Sequence, residues 1–239
     1  MIAITFALPT ESSGVRRLLV RNAQDAPNSG MLNGRPVQIF HTGVGERVST
    51  PRIEKFLERR GLSYLISAGF AGALDPELRV GDVVMGSNFS SASLVRAANF
   101  GSQASIRVGK LISSSQIVES CDARAQLARS DGAIAVDMET EGIARACAQA
   151  DLPMLALRAI SDTADAPFPA PARVLFDIEK QRTVALRLVL HLIREPAAIR
   201  RLLRFRRQID LARQALTTAI SNAVASIPKD AASQRAGSM

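Results

Sequence analysis

The sequence predicts an α/β fold: a single domain built on a central mixed, mostly parallel sheet, flanked by helices and extended by a basic C-terminal helix. Three observations predict it. Strand-length apolar runs alternate with stretches of helical spacing from residue 1 to about residue 193. A chain of 239 residues, 47% of them hydrophobic, suffices for one substantial core and is too short for two full domains. Acidic side chains stand where apolar runs give way to helical patterns, the crevice in which open α/β sheets bind ligands.

The elements follow in order. Ile2 to Leu8 is the first apolar run; Pro9-Thr10-Glu11 and a helical pattern through Val15, Leu18 and Leu19 come next. Pro27-Asn28-Ser29-Gly30 is a turn, and Met31 to Phe40 reads as a hairpin around Asn33-Gly34. Val37 to Phe40 leads into His41-Thr42-Gly43-Val44-Gly45, then a helix-like stretch to Arg60. Tyr64 to Ser67 runs into a Gly-rich turn, Ala68-Gly69-Phe70-Ala71-Gly72-Ala73-Leu74, before the strand Val80-Gly81-Asp82-Val83-Val84. Residues 87 to 105 carry few large apolar side chains and read as a surface loop. Ile134 to Val136 and Met154 to Ile160 are strand-like, with helical spacing from Glu139 to Ala150 between them. Pro167, Pro169 and Pro171 precede a helix through Val174, Leu175, Ile178, Val184, Leu188 and Ile193. After Pro196 a further helix runs to about Val224 with Ile199, Leu202, Leu203, Ile209, Leu216, Ile220 and Val224 near one face. The expected division is a domain at 1–193, a basic amphipathic helical extension at 194–225 and a polar, disordered tail at 226–239.

Composition excludes several classes. The apolar runs fall far below the roughly eighteen residues of a membrane-spanning helix. Met1 leads directly into the first strand, so no secretory signal is expected. Cys121 and Cys147 lack metal-ligand spacing and fit a reduced cytoplasm. With only His41 and His191, a histidine triad or zinc site is not expected, and neither is a cofactor. The net charge of +8 is concentrated between Arg194 and Arg213, where seven arginines face Glu195 and Asp210. That charge lies in an appendage rather than along a substrate path, and the chain has no tryptophan and one tyrosine. A nucleic-acid partner is therefore not expected.

Val136-Asp137-Met138-Glu139 and Leu157-Arg158-Ala159-Ile160-Ser161-Asp162-Thr163-Ala164-Asp165 are the most informative stretches. Glu139 and Asp162 stand at element ends, separated by one helix, so they can meet over one substrate. Spacing alone equally allows each to sit in, or cap, a helix's first turn.

In their order, the Met-Glu pair, the Ser-Asp-x-Ala-Asp turn, the Gly-rich turn and the Val-Gly-Asp strand resemble the nucleoside phosphorylase and nucleosidase superfamily. The match is closer to its hydrolytic branch, the methylthioadenosine/S-adenosylhomocysteine nucleosidases, and covers roughly residues 1 to 190. The resemblance implies a purine nucleosidase that hydrolyses the N-ribosidic bond of a 5′-substituted adenosine and releases adenine. It implies Asp162 as the acid that protonates the base and Glu11 as the group that activates water. Glu139 would bind the ribose hydroxyls, with Met138 against the sugar and Ser161 orienting Asp162. Phe70, Ala71 and Gly72 would approach ribose and base, and Asp137 the base. A homodimer is also implied.

Relatives that use phosphate as nucleophile carry an arginine in the first strand-helix loop, and an arginine with a serine around the Gly-rich turn. Here the first loop is Leu8-Pro9-Thr10-Glu11, so water is the expected nucleophile; Arg47 and Arg158 keep phosphorolysis as the alternative. The resemblance thins at Phe70, at Asp137 and at Ser113 to Val118, which lacks an aromatic to stack on adenine. A subgroup associated with hopanoid lipid synthesis, removing adenine from an adenosylated lipid, is similar in the Gly-rich turn and the basic C-terminal extension. Residues 197–224 accordingly have two readings. They pack their apolar stripe on the core or a partner, or they contact an anionic membrane surface from the cytoplasmic side. A third class, a nucleoside-binding or membrane-surface regulatory module without turnover, does not call for Glu11.

Overall fold

β1 (Ile2–Phe6) is the first strand, and its residues alternate between the two faces of the sheet that the rest of the chain builds around it. In this computed structural model residues 1–58, 61–101, 105–165 and 198–228 are described. Among the described residues nine strands share one sheet, seven of them on one path: β2 (Ser29–Leu32), β3 (Arg35–His41), β1, β4 (Tyr64–Ala73), β9 (Met154–Asp162), β5 (Val83–Gly86) and β6 (Ile106–Gly109), in that spatial order. β8 (Ala135–Asp137) pairs with the end of β4, and β7 (Leu111–Ser113) pairs with β8. The central ladder β3-β1-β4-β9 is parallel, while β2, β5 and β8 join it antiparallel, which gives the mixed sheet expected.

The helices divide between the two faces. α1 (Pro9–Leu18), α3 (Ala92–Ala97) and α6 (Ala198–Ser226) cover Ile2, Ile4, Phe6, Ile66, Leu155 and Leu157; α2 (Glu46–Leu57) and α5 (Thr140–Gln149) cover Ala3, Leu65, Met154, Ala156 and Ile160. β9 is buried along its whole length, because it lies inside the sheet with helices on both sides. α4 (Cys121–Asp131) starts at Ser120, whose hydroxyl accepts from the Ala123 N–H at 3.2 Å, and ends at Gly132 in the left-handed conformation. The Asn33-Gly34 hairpin is present, with φ of 50° and 70°, as a two-residue turn with both φ positive requires.

α6 carries the apolar stripe expected of the C-terminal helix, and the stripe is in the core. Ala212, Leu216, Ala219, Ile220, Ala223, Val224 and Ile227 are all buried. Gly14 lets α1 and α6 meet, since a Cβ there would collide with the Thr217 hydroxyl. Arg35 clasps the far end by donating to the carbonyls of Val224 and Ile227. Leu203, assigned to the stripe from its spacing, is instead 56% exposed.

Three expectations are corrected. The Gly-rich segment 68–73 is not a turn but the second half of β4, which runs unbroken to Ala73. Neither Gly69 nor Gly72 takes a positive φ; the lack of a side chain at Gly72 admits the guanidinium group of Arg124. Residues 87 to 101 are not all loop, because Leu94 draws helix α3 onto the sheet and is fully buried. Val80 to Asp82 precede β5 as a turn, with Gly81 at φ 93°. The helix expected through Val174 to Ile193 and the tail from residue 229 lie outside the described residues.

Candidate active site

Gly72 on β4 is the register partner of Asp162 on β9 and of Val136 on β8. One glycine therefore has the Ser161-Asp162 strand end on one side and the start of Val136-Asp137-Met138-Glu139 on the other. β1, on the next position of the sheet, delivers Glu11 in the first turn of α1. The result is a cavity of about 220 Å³ that all nine residues singled out from the sequence line: Glu11, Phe70, Ala71, Gly72, Asp137, Met138, Glu139, Ser161 and Asp162. Val44, Gln116, Ile117, Val118, Arg124, Phe205 and Ile209 also line it.

Glu11 accepts a hydrogen bond from the Leu8 N–H at 2.9 Å, so the carboxylate is anchored to its own helix start while it borders the cavity. Burial raises its pKa, against the opposing pull of that N–H and of Arg158. Glu139 occupies the N-cap position of α5 but caps nothing. Its Oε1 accepts from the Gly45 N–H at 2.7 Å across the cavity wall, where Gly43 and Gly45 turn with φ of 86° and 84°. Asp137 does the capping instead, accepting from the Thr140 N–H at 3.1 Å. Burial first, then the Asp137 carboxylate, push the Glu139 pKa up to about 8.

Asp137 is a hub. Its Oδ1 accepts from Ser113 Oγ at 2.6 Å, and its Oδ2 from Arg158 Nε at 2.7 Å and from the Thr140 hydroxyl. Arg158 is buried to 2% exposure and also donates to Ser67, from Nη1 to its carbonyl and from Nη2 to its hydroxyl. Asp162 is equally enclosed. Ser161 Oγ donates to its Oδ1 at 2.6 Å, and Arg124 forms an ion pair with its Oδ2. Burial holds the Asp162 carboxyl above its ordinary pKa, opposed by Arg124 and Ser161. Among the described residues, neither Glu139, at the N-cap position of α5, nor Asp162 makes a side-chain helix cap.

Arg124, Phe205 and Ile209 were not found from the sequence. Arg124 is spaced three and four residues before Leu127 and Ala128, which pack with Leu74 and Val136; an arginine on the apolar face of a short helix was the available signal. Phe205 and Ile209 reach the cavity from α6, a contact made across the whole length of the chain. His41 ends β3 and pairs with Ser12 Oγ at 2.8 Å, away from the cavity lining. Among the described residues, no helix is long and apolar enough to cross a membrane.

Comparison with known proteins places the chain among relatives of the same fold. The chain is 27% identical over 221 residues to a 5′-methylthioadenosine/S-adenosylhomocysteine nucleosidase of Mycobacterium bovis, covering 69% of this chain and 86% of that one. Its fold is similar to that of the nucleosidase of the same description from Colwellia psychrerythraea, solved in complex with adenine: TM-score 0.70, 19% identity, 95% of each chain. It is also similar to the futalosine hydrolase of Helicobacter pylori: TM-score 0.69, 18% identity, 93% of this chain and 96% of the other. Those two likenesses speak to the fold. The family model described as the phosphorylase superfamily matches residues 20–103 and 89–194, and the chain belongs to that superfamily.

Proposed function

We propose that this chain is a purine nucleosidase, an N-glycosidic bond hydrolase that releases adenine from a 5′-substituted adenosine. The observation that carries the reading is the convergence of Glu11, Glu139 and Asp162 on one cavity, from the ends of three strands, β1, β8 and β9, that each pair with β4. Breaking an N-ribosidic bond leaves positive charge on the sugar and negative charge on the base. A protonated carboxyl at the base, a carboxylate that draws a proton from water and a hydroxyl ligand on the ribose answer those needs, as paired carboxyl groups do in glycoside hydrolysis.

Asp162 is the acid towards N7 of the purine, and Ser161 fixes its orientation. Glu11 takes a proton from the attacking water. Glu139 accepts hydrogen bonds from the ribose hydroxyls. Met138, Phe70, Ala71 and Gly72 shape the walls around sugar and base. Asp137, whose oxygens are already engaged by Ser113, Thr140 and Arg158, serves by holding Arg158 rather than by direct contact with the base.

Water is favoured over phosphate as the nucleophile by charge. Arg124 is the one basic side chain among the described residues lining the cavity, and Asp162 engages it. Arg47 is exposed and outside the lining, and Arg158 is committed to Asp137 and Ser67. A cytoplasmic homodimer completes the reading on the family resemblance. Contact of the exposed Arg200, Arg204, Arg206 and Arg207 with an anionic membrane surface is a subsidiary proposal, supported by their place on the outer side of α6.

The test is a screen of adenosine and its 5′-substituted derivatives scored for free adenine, with Asp162→Asn alongside. General acid catalysis supplies roughly 10²–10⁴-fold, and the amide cannot donate the proton, so release should fall by about that factor. Equal turnover by Asp162→Asn would remove Asp162 from the mechanism, and no release from any member of the series would remove the nucleosidase reading.

A further inference from the structure

The Arg124 guanidinium is placed by more than its carboxylate partner. Nε donates to the Val118 carbonyl at 3.0 Å, and Nη1 to the carbonyls of Ala73 at 3.2 Å and Thr163 at 3.3 Å. These acceptors come from the approach to α4, the end of β4 and the turn after β9. The charge is therefore fixed in space whether or not Asp162 is ionised, and Nη2 is directed onto Asp162 Oδ2. Gly72 makes the room: a Cβ there would stand 2.8 Å from Nη1 and Nη2. Desolvation offsets most of the attraction in so buried a pair, so net stability is not what this arrangement mainly provides.

We propose that Arg124 is a positioning residue for departure of the base: it aims the Asp162 carboxyl and holds the carboxylate left behind once the proton has gone. The inference rests on the nucleosidase reading above. In the step concerned, the bond from C1′ to N9 breaks with its electron pair going to the base. The Asp162 O–H gives its proton to N7. Water adds its oxygen to C1′ and gives a proton to Glu11, and the two carboxyls exchange protons with solvent before the next turnover. The ion pair strengthens as Asp162 loses its proton, so Arg124 interacts more strongly with the transition state than with the resting site.

Among the described residues, Arg124 is the cation facing Asp162. From β9 itself Ser161 donates to Oδ1, and from β4 the neighbours are the backbone of Gly72 and Ala73. The other titratable groups among the described residues lining the cavity are Glu11 on α1, and Asp137 and Glu139 between β8 and α5. α6 turns Phe205 and Ile209 towards it, and Cys121 at the start of α4 donates to the Asp165 carbonyl at 3.6 Å, beyond the Thr163 turn. Removing Arg124 should therefore let burial drive the Asp162 carboxyl further up.

The deciding measurement is the pH profile of kcat/KM for adenine release by wild type, Arg124→Met and Arg124→Lys. An arginine beside an aspartate lowers its pKa by about 1–3 units. In Arg124→Met the alkaline limb should thus move up by about a unit or more, while the maximum falls by about ten- to a hundredfold, within the reach of acid catalysis. Arg124→Lys should return the limb towards its wild-type position. A merely structural arginine would change thermal stability and amplitude but leave the limb in place, and an unmoved limb in folded Arg124→Met overturns the proposal. Should Arg124→Met not fold, Gly72→Ala carries the test, because its Cβ displaces the guanidinium while keeping the charge; its limb must also rise, and an unmoved one overturns the proposal.

Infrared titration of the protonated Asp162 carboxyl, assigned by its loss in Asp162→Asn, reads the same shift without turnover. Wild type that releases no adenine defeats the nucleosidase reading; adenine release with an unmoved limb and an unmoved infrared titration defeats the role of Arg124 alone.

Discussion

Arg158 Nε and Asp137 Oδ2 lie 2.7 Å apart with both side chains almost wholly excluded from water, and this pair ties β9 to the junction of β8 and α5. It fixes the segment that carries Glu139 relative to the strand that carries Asp162. Removing one partner of a buried pair leaves the other charge uncompensated, at a cost of about 3–5 kcal/mol. Arg158→Met should lose that much in denaturant unfolding, and adding Asp137→Asn should recover part of it. Additive losses in the double variant would show that the two side chains are not coupled.

Glu139 gives the protein a pH-dependent stability of definite sign. Its pKa is raised from about 4.5 in the unfolded chain to about 8 in the fold, so between those values the native state binds the extra proton. Stability from this group is therefore greatest below about pH 4.5, falls as pH rises and levels off above about 8, a loss on the order of a few kcal/mol. Glu11 acts in the same direction, its pKa being raised as well. Glu139→Gln should flatten the decline and be the more stable protein at pH 8 and above. Parallel curves of melting temperature against pH for the two proteins would contradict this assignment.

Glu11→Gln should suppress hydrolysis while nucleoside binding persists, because the amide hydrogen-bonds water without taking its proton. Glu139→Ala should weaken ribose-containing ligands far more than free adenine, by about 0.5–1.5 kcal/mol for each hydrogen bond lost. Calorimetry on each variant separates the roles. Comparable losses for adenine and nucleoside would take Glu139 off the ribose.

α6 is expected to behave as core. Truncation after Glu195 removes Leu216, Ile220 and Val224 from beneath the sheet and exposes their partners, so solubility and melting temperature should fall sharply. Leu216→Ala alone should cost about 2–5 kcal/mol. Because Phe205 and Ile209 line the cavity, the truncated chain should also lose activity on small nucleosides. Salt-sensitive binding of the full chain to anionic vesicles would show that the exposed arginines work beside this packing. A truncated chain with unchanged stability would contradict it.

What the sequence made legible followed from local pattern. Alternating apolar runs announced the strands β1, β3, β4 and β9, and the Asn33-Gly34 pair announced its hairpin. Glu11, Glu139 and Asp162 were visible because each stands where a strand gives way to other structure. Short elements were less legible: β6, β7 and α4 are only four, three and eleven residues long, and their patterns are weak. Arg124 was hidden for that reason, and its role depends on β4 and β9 approaching α4. The glycines of β4 read as a turn because small residues signal turns; here Gly72 leaves space for the Arg124 guanidinium. Phe205 and Ile209 belong to contacts that spacing along α6 cannot announce.

Hydrolysis at the ribose C1′ leaves the oxygen of water in the sugar product. Wild-type protein is incubated with a 5′-substituted adenosine in phosphate-free buffer made with ¹⁸O-labelled water, and the sugar product is analysed by mass spectrometry. Hydrolysis should give stoichiometric adenine and free sugar carrying one ¹⁸O at C1′. Adenine that appears only when phosphate is added, with a sugar 1-phosphate as the other product, would contradict it.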